Sequence, residues 1–355
     1  MSNANADCPP LERNAMGYDI FRFIERIHSM IVNNLASGGL ISNYHCSSTC
    51  THCLYNCSPL REKDYVSFDD AKRILGKVKS LGCQSVHIGG GEPLLDHEKL
   101  IAGALKAAAA MGVAIEYVET NSSWFKDHTQ ACNVLRKLMD SGVSTVLVSI
   151  SPFHNEYIPF KKLKGVVAAC HSTGMRLFPW LEDFYEDIDQ FDDSKPHPLS
   201  EYTARFGQTY VDNLPARYRL TRKGRALKTF AHLMPQVPLE SILEKSAPCR
   251  ELDETWHFHV DCHSNYIPGL CTGLSIAVDE LGKELAPKEY PFLSSLHDKG
   301  ITALLEAAKP FGFKPAKKAY ASKCELCIET RAFLVNTAKV KTKDLNPSQF
   351  YSEYL

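Results

Sequence analysis

The first half of the chain alternates short apolar runs with amphipathic stretches. Apolar residues at helical spacing predict helices near residues 67–81, 96–111, 128–141 and 160–173. Ser67 is a typical helix N-cap, and a glycine follows each predicted helix, as C-terminal caps require. The short apolar runs between them predict strands at Leu40–Tyr44, Ser85–Ile88, Ala114–Val118, Thr145–Ile150 and Arg176–Trp180. Strands that alternate with helices of this length predict an α/β fold with a parallel sheet or barrel.

The pattern changes on both sides of this region. Residues 18–35 carry apolar residues at helical spacing, which predicts a helical lead-in over residues 1–39. Residues 182–193 are acidic and residues 218–228 are basic, as solvated faces are, although the basic run could instead bind an anionic group of a substrate or cofactor. After residue 249 little periodicity remains. We therefore predict a barrel domain over residues 40–245 and a second domain over residues 246–355.

The composition excludes several classes of protein. The 355 residues include 40 basic and 41 acidic side chains, so the chain is not a polycation built for nucleic acid. With 44% apolar and 23% charged residues it can bury a core. No apolar stretch approaches the roughly 20 residues of a spanning helix, and no signal peptide is recognisable. These features predict a cytoplasmic protein with neither a nucleic-acid partner nor a membrane partner.

Thirteen cysteines are far more than an average intracellular chain of this size carries. A secreted disulfide scaffold would be shorter and would carry a signal peptide. In a reducing compartment, clustered thiols more often bind metal. The cysteine count therefore predicts a metalloprotein before any motif is considered.

One cysteine cluster directly follows the first predicted strand. Cys46, Cys50 and Cys53 form C-x3-C-x2-C, a spacing that suits an iron–sulfur cluster or, if His52 or Cys57 joins, a zinc site. The next strand runs into Gly89-Gly90-Gly91-Glu92-Pro93. Glycines let the backbone approach a ligand closely, and ligands of parallel α/β folds bind at the carboxyl ends of strands. The glycine turn favours an iron–sulfur cluster with a bound ligand.

The two motifs, CSSTCTHC and GGGEPLL, together resemble the radical S-adenosylmethionine (SAM) superfamily over roughly residues 40–240. The resemblance implies a partial (β/α)6 TIM-like barrel. It implies that Cys46, Cys50 and Cys53 hold a 4Fe-4S cluster whose fourth iron binds SAM. Further residues are implied in SAM binding: His52 beside the adenine, Gly90, Gly91 and Glu92 as the cradle of the methionyl amino group, and Asn121, Ser149 and Ser151 at the methionine and ribose. For the two serines, an ordinary strand-end hydroxyl remains the alternative.

The C-terminal cysteines resemble the auxiliary-cluster extensions called SPASM or Twitch domains. This resemblance implies one auxiliary 4Fe-4S cluster held by Cys249, Cys271, Cys324 and Cys327, with a zinc site on the same ligands as the alternative. Cys262 is then left over as a hydrogen-atom donor, a buried thiol or an alternate ligand. Cys57 is interpreted as a packed thiol, although the extended motif ending in Cys57-Ser58-Pro59 resembles that of a radical peptide epimerase group. The histidines at 257, 259 and 263 are expected to be polar lining rather than metal ligands.

The resemblance implies an enzyme of oxidoreductase or transferase type that reductively cleaves SAM to a 5′-deoxyadenosyl radical and abstracts a substrate hydrogen atom. Its first expected substrate is a peptide or protein, modified by epimerisation, cross-linking or oxidation. The alternative is a small-molecule, cofactor or natural-product precursor, whose phosphate or carboxylate Arg222, Lys223 or Arg225 could bind. A third class is a non-catalytic metal-binding scaffold. A reducing partner such as ferredoxin or flavodoxin is expected.

Overall fold

A computed structural model of the protein describes residues 30–354. Most of the predicted lead-in helix therefore lies outside the described residues, and residues 30–36 contain no helix. Within the described range no helix is both long and apolar enough to cross a bilayer.

The strands form one large sheet and one small one. Their bounds are β1 Ser37–Asn43, β2 Ser85–Gly90, β3 Ala114–Thr120, β4 Thr145–Ser149, β5 Arg176–Trp180, β6 Val237–Pro238, β7 His257–Asp261, β8 Asn265–Ile267, β9 Ile276–Ala277 and β10 Ala319–Tyr320. In the described residues the large sheet has eight strands in the order β5-β4-β3-β2-β1-β7-β8-β9. The short strands β6 and β10 pair with each other in antiparallel fashion.

The five predicted strands are all present as β1 to β5, and they lie side by side and parallel. A sixth parallel strand, β7, pairs with the other side of β1, so that Leu40 lies between Ile88 and Val260. The predicted α/β fold is confirmed, and six parallel strands are the strand set of a partial (β/α)6 barrel. The sixth strand follows the proposed boundary at residue 245, and the division into domains stays a prediction.

The four predicted helical regions begin and end close to the predicted positions, and further helices follow β4 and β5. Their bounds are α1 Phe68–Ser80, α2 His97–Leu100, α3 Lys106–Met111, α4 His128–Asp140, α5 Pro152–Asn155, α6 Phe160–Thr173, α7 Tyr185–Ile188, α8 Leu199–Phe206, α9 Gln208–Arg217, α10 Gly224–Phe230, α11 Leu239–Glu244, α12 Pro291–Lys299, α13 Ile301–Ala308 and α14 Lys323–Ala332. Ser67 is the N-cap of α1, as predicted, because its hydroxyl accepts from the Asp70 amide at 3.1 Å. A π-helical turn, Ile101–Leu105, joins α2 to α3 in place of one regular helix.

Packing of the helices against the sheet buries the apolar faces that the sequence pattern indicates. Ile74, Leu75 and Val78 of α1 are buried, α1 packs against α3, and α4 packs against α6. The loops that follow β1, β2, β3 and β4 all emerge at the carboxyl edge of the sheet. Both sequence motifs are therefore brought to the same edge.

Candidate functional site

A cavity of about 490 Å³ lies at the carboxyl edge of the parallel strands. Its lining includes most of the predicted residues: Cys46, Cys50, His52, Cys53, Gly90, Gly91, Asn121 and Ser149. The three motif thiols thus share one cavity with the glycine turn. Their donor set fits an iron–sulfur cluster, since cluster iron is commonly held by cysteine thiolates.

The loop that carries the thiols is held at both ends. The Cys46 amide donates to the Ser58 carbonyl at 3.2 Å, and the Cys53 amide donates to the Cys50 carbonyl at 3.1 Å. Two donors approach the sulfur atoms, because Asn121 Nδ2 lies 3.4 Å from Cys46 Sγ and the Cys57 amide lies 3.3 Å from Cys53 Sγ. Such contacts to sulfur are among the means by which proteins tune a cluster.

The pKa values of the three thiols differ, because burial and neighbouring groups act on each thiol differently. Burial raises the pKa of Cys46 to about 12 and also raises the pKa of Cys50. The pKa of Cys53 is lowered to about 6, first by the hydrogen bond from the Cys57 thiol and then by the charge of Arg225. Metal ligation requires thiolates, so cluster binding must displace protons from Cys46 and Cys50.

The glycine turn allows the loops after β1 and β2 to touch. A Cβ on Gly91 would lie 2.0 Å from the His45 carbonyl oxygen. A Cβ on Gly90, whose φ is +121°, would lie 2.5 Å from the Asn43 carbonyl oxygen. The Gly91 amide already donates to Asn43 at 2.8 Å, so this amide holds the loops together.

Glu92 follows the glycine turn but does not line the cavity, and its place in the backbone cradle stays a prediction. Its fully buried carboxylate accepts from the Asn121 amide at 2.6 Å, the Thr120 hydroxyl at 2.9 Å and the Leu94 amide at 3.1 Å. Burial outweighs these donors and raises its pKa to about 7. The side chain is not part of the cavity lining; it fixes the turn that presents Asn121 to the cavity.

His52 lies in an aromatic wall. Its ring stacks on Phe153 at 4.8 Å and meets the edge of Tyr218 at 4.6 Å between centroids. Burial lowers the pKa of His52 well below its ordinary value, so the ring is neutral. Its buried Nδ1 has no hydrogen-bond partner among residues 30–354.

The two predicted serines are placed differently. Ser149, at the end of β4, lines the main cavity. Ser151 is buried, and its hydroxyl is 2.7 Å from His154 Nδ1. Ser151 lines a separate small cavity of about 10 Å³, which Asn121 and Ser149 also border.

The sequence analysis missed several residues that line the main cavity. These are His87, Tyr117, Glu119, His154, Trp180, Tyr218 and Arg219, whereas His257 and His259, which were expected to be polar lining, line this cavity as well. The available signal was strand alternation, because residues 117 and 119, like residues 257 and 259, project to the same face of a strand. Placing both pairs at one site requires the strand order, which the sequence pattern does not provide.

The four C-terminal cysteines line a second, small cavity of about 30 Å³. Cys324 lies on the first turn of α14, where the positive end of the helix dipole favours thiolate, and Cys327 lies at the start of the second turn. Burial raises the pKa of Cys324 to about 11 and raises that of Cys249. Lys323 Nζ lies 3.8 Å from Cys249 Sγ. No cysteine within residues 30–354 forms a disulfide, so all four thiols are free to bind metal.

Cys262 is not brought to the main cavity. It follows β7, is 8% exposed, and lines another cavity together with Asp64, Tyr65 and His263. Cys57 is the additional thiol in the cluster cavity. The geometry gives no support to Cys262 as a hydrogen donor, and that role stays a prediction.

Two of the three cations expected to bind an anion, Lys223 and Arg225, are engaged within the protein, whereas Arg222 is exposed. Arg225 is buried and donates to the carbonyls of Cys50, at 2.7 Å, and Cys57, at 3.0 Å, and pairs with Glu353. Lys223 Nζ donates to the Gly269 carbonyl. Arg219 is the cation of this segment that lines the main cavity.

The fold and site define an α/β protein with free thiols converging at the carboxyl edge of a parallel sheet. Residues 40–171 match the model of the radical SAM superfamily, the family that the two motifs resemble. No curated protein matches the sequence significantly.

Three solved structures illustrate the similarity in shape. The structure of anSMEcpe with bound AdoMet (SAM) is 12% identical, covers 90% of this chain and 96% of that one, and has a TM-score of 0.40. BtrN in complex with AdoMet and 2-DOIA is 13% identical, covers 76% and 89%, and has a TM-score of 0.39. Streptococcus suis SuiB bound to the precursor peptide SuiA is 15% identical, covers 90% and 76%, and has a TM-score of 0.32.

Proposed function

We propose that this protein is a radical SAM enzyme that abstracts a hydrogen atom from a peptide or protein substrate. The observation that carries the proposal is the convergence of Cys46, Cys50 and Cys53 with the glycine turn in one cavity. A 4Fe-4S cluster bound there would supply the electron that cleaves SAM to a 5′-deoxyadenosyl radical. The residues of this chain hold, orient and shield these groups.

The cavity walls support a division of roles. The neutral His52 ring and Tyr218 offer flat apolar surfaces suited to an adenine ring. Asn121 and Ser149 offer amide and hydroxyl groups to the methionine and ribose. The carboxylate of Glu92 keeps Asn121 in position through its backbone amide.

Exposed aromatic side chains next to the cavity favour a peptide substrate. Trp180 lines the cavity and is 42% exposed, and the neighbouring Phe178 ring lies 6.1 Å from it. Exposed apolar groups beside a cleft often mark protein–protein or ligand contacts. A small anionic substrate remains the second candidate, because Arg219 also lines the cavity.

We infer that Cys249, Cys271, Cys324 and Cys327 hold one auxiliary 4Fe-4S cluster. Their shared cavity and the nearby cations, Lys323 and Arg331, support this inference because a thiolate-bound cluster carries negative charge. A ferredoxin or flavodoxin as electron donor stays a prediction.

SAM cleavage by the anaerobically reconstituted and reduced protein tests the proposal. We expect 5′-deoxyadenosine from the unmodified protein and none from Cys53→Ala. Cys170→Ala, a change at a buried thiol of α6 outside both cysteine cavities, is the matched control and should retain cleavage. Deoxyadenosine from Cys53→Ala at the unmodified rate would refute the assignment of the cluster.

A further inference from the structure

Three histidines that line the main cavity meet on the cavity side of the sheet. His87 belongs to β2, and His257 and His259 belong to β7. The strand β1 lies between β2 and β7, with Gly39 in register with both His87 and His259. A Cβ on Gly39 would lie 2.2 Å from His87 Nε2 and 2.6 Å from His259 Cδ2. The absence of a side chain at residue 39 therefore lets the two imidazoles meet across the central strand.

The imidazoles form a compact donor set. His87 Nε2 and His259 Nε2 are 3.0 Å apart, and one nitrogen from each of the three rings falls within 4.8 Å of the others. Two nitrogens that share a tetrahedral zinc ion at about 2.0–2.1 Å are roughly 3.3–3.4 Å apart. The His87 and His259 nitrogens reach this spacing with a shift of a few tenths of an ångström, and the His257 nitrogen approaches from a separation of no more than 4.8 Å.

The protein leaves these groups incompletely bonded. His87 is 1% exposed and His259 is 7% exposed, yet the Nδ1 atom of each has no hydrogen-bond partner in the described part of the chain. Burial keeps both rings neutral, lowering the pKa of His87 to about 3 and that of His259 well below its ordinary value. Neutral imidazole is the form that ligates metal.

We propose that His87, His257 and His259 bind a divalent transition-metal ion such as Zn²⁺ or Fe²⁺. Imidazole suits these ions, whereas Ca²⁺ and Mg²⁺ prefer oxygen ligands. Three protein ligands leave a coordination position open, and all three histidines line the main cavity. The open position is available to a carbonyl or carboxylate group of a substrate.

Glu119 is the side chain best placed to complete or support this site. Its Oε1 lies 3.8 Å from His87 Nε2, and it lines the same cavity. Gly89 leaves room for it, because a Cβ there would lie 2.4 Å from Glu119 Oε2. A carboxylate beside three imidazoles offsets part of the charge of a divalent ion.

Zinc binding to the reconstituted protein, with both iron–sulfur sites loaded, tests the inference. We expect about one additional zinc per chain, with an X-ray absorption first shell of nitrogen and oxygen at about 2.0–2.1 Å and no sulfur near 2.3 Å. His257→Ala is the primary variant because His257 is only partly buried, and His87→Gln is the second. His171→Ala, an exposed histidine of α6, is the control.

Removing a group that hydrogen-bonds to a metal ligand typically weakens metal binding roughly 10–100-fold. Removing one of the ligands themselves should weaken zinc binding by more than that. The inference is overturned if the zinc shell contains sulfur, if no zinc binds, or if both variants keep the affinity of the control. Iron content and SAM cleavage of the same samples keep the two proposals separate. A protein that binds zinc through nitrogen without cleaving SAM would refute the proposed function and leave this site standing.

Discussion

Arg225 connects the cluster loop to the C-terminal end of the chain. Its guanidinium donates to the carbonyls of Cys50 and Cys57 and, through Nε, to Glu353 Oε2 at 2.7 Å. Its backbone amide donates to the Cys53 carbonyl at 2.9 Å. Replacing Arg225 by Met keeps much of the apolar stem and removes every donor of the side chain.

The structure sets the expected cost of this change. Hydrogen bonds to charged groups contribute about 1.5–3 kcal/mol each, and breaking a buried ion pair costs about 3–5 kcal/mol. The Arg225 side chain is 8% exposed, but Glu353 is 25% exposed and can regain water. We therefore expect Arg225→Met to lower the free energy of unfolding by about 3 kcal/mol, near the lower end of that range.

Urea unfolding, followed by tryptophan fluorescence, measures the change in free energy, and iron content measures the effect on the loop. Arg217→Met is the matched control, because Arg217 is 35% exposed and its pairing with Asp187 is partly solvated. The control should lose less than about 1 kcal/mol. Equal losses in the two variants, or unchanged iron in Arg225→Met, would refute the idea that Arg225 holds the cluster loop.

Three further predictions concern the two cavities. Gly91→Ala should reduce SAM cleavage about 100-fold, because the new Cβ would meet the His45 carbonyl. Gly76→Ala in α1 is the control, and equal activity of the two variants would contradict the role of the glycine turn. Cys324→Ala should lose the auxiliary iron and keep the spectral response to SAM, and loss of all iron would contradict two independent sites. Glu92→Gln tests pH dependence in the cluster-free protein. Because the folded pKa of Glu92 is raised to about 7, its contribution to stability is present below about pH 4.5 and is lost as the pH rises to about 7. Glu92→Gln should lose this part of the pH dependence of the free energy of unfolding. An unchanged pH profile would contradict the raised pKa of Glu92.

Local periodicity was sufficient to predict β1 to β5 and the helices between them. Each of these elements buries one face against its sequence neighbours, so the signal is contained in the element itself. The strand β7 was missed because its partner, β1, is more than 200 residues earlier in the chain and because two of its five residues are histidines. The glycine turn and the cysteine loop were predictable as neighbours because they follow adjacent parallel strands.

Other features of the site depend on contacts that no local pattern encodes. The His87, His257 and His259 cluster exists because β1 separates β2 from β7 and carries Gly39 at the shared register position. Cys262 is close in sequence to the auxiliary cysteines, yet the turn after β7 directs it to a different cavity. The basic run gave no indication that Arg225 would be buried against the cluster loop.

Electron paramagnetic resonance of the anaerobically reconstituted and reduced protein, with and without SAM, tests the central claim most directly. Iron per chain is measured on the same sample. We expect about eight irons and a cluster signal that changes when SAM is added, as an open iron coordination site requires. A signal that does not respond to SAM, or zinc in place of iron at the cysteines, would contradict the account.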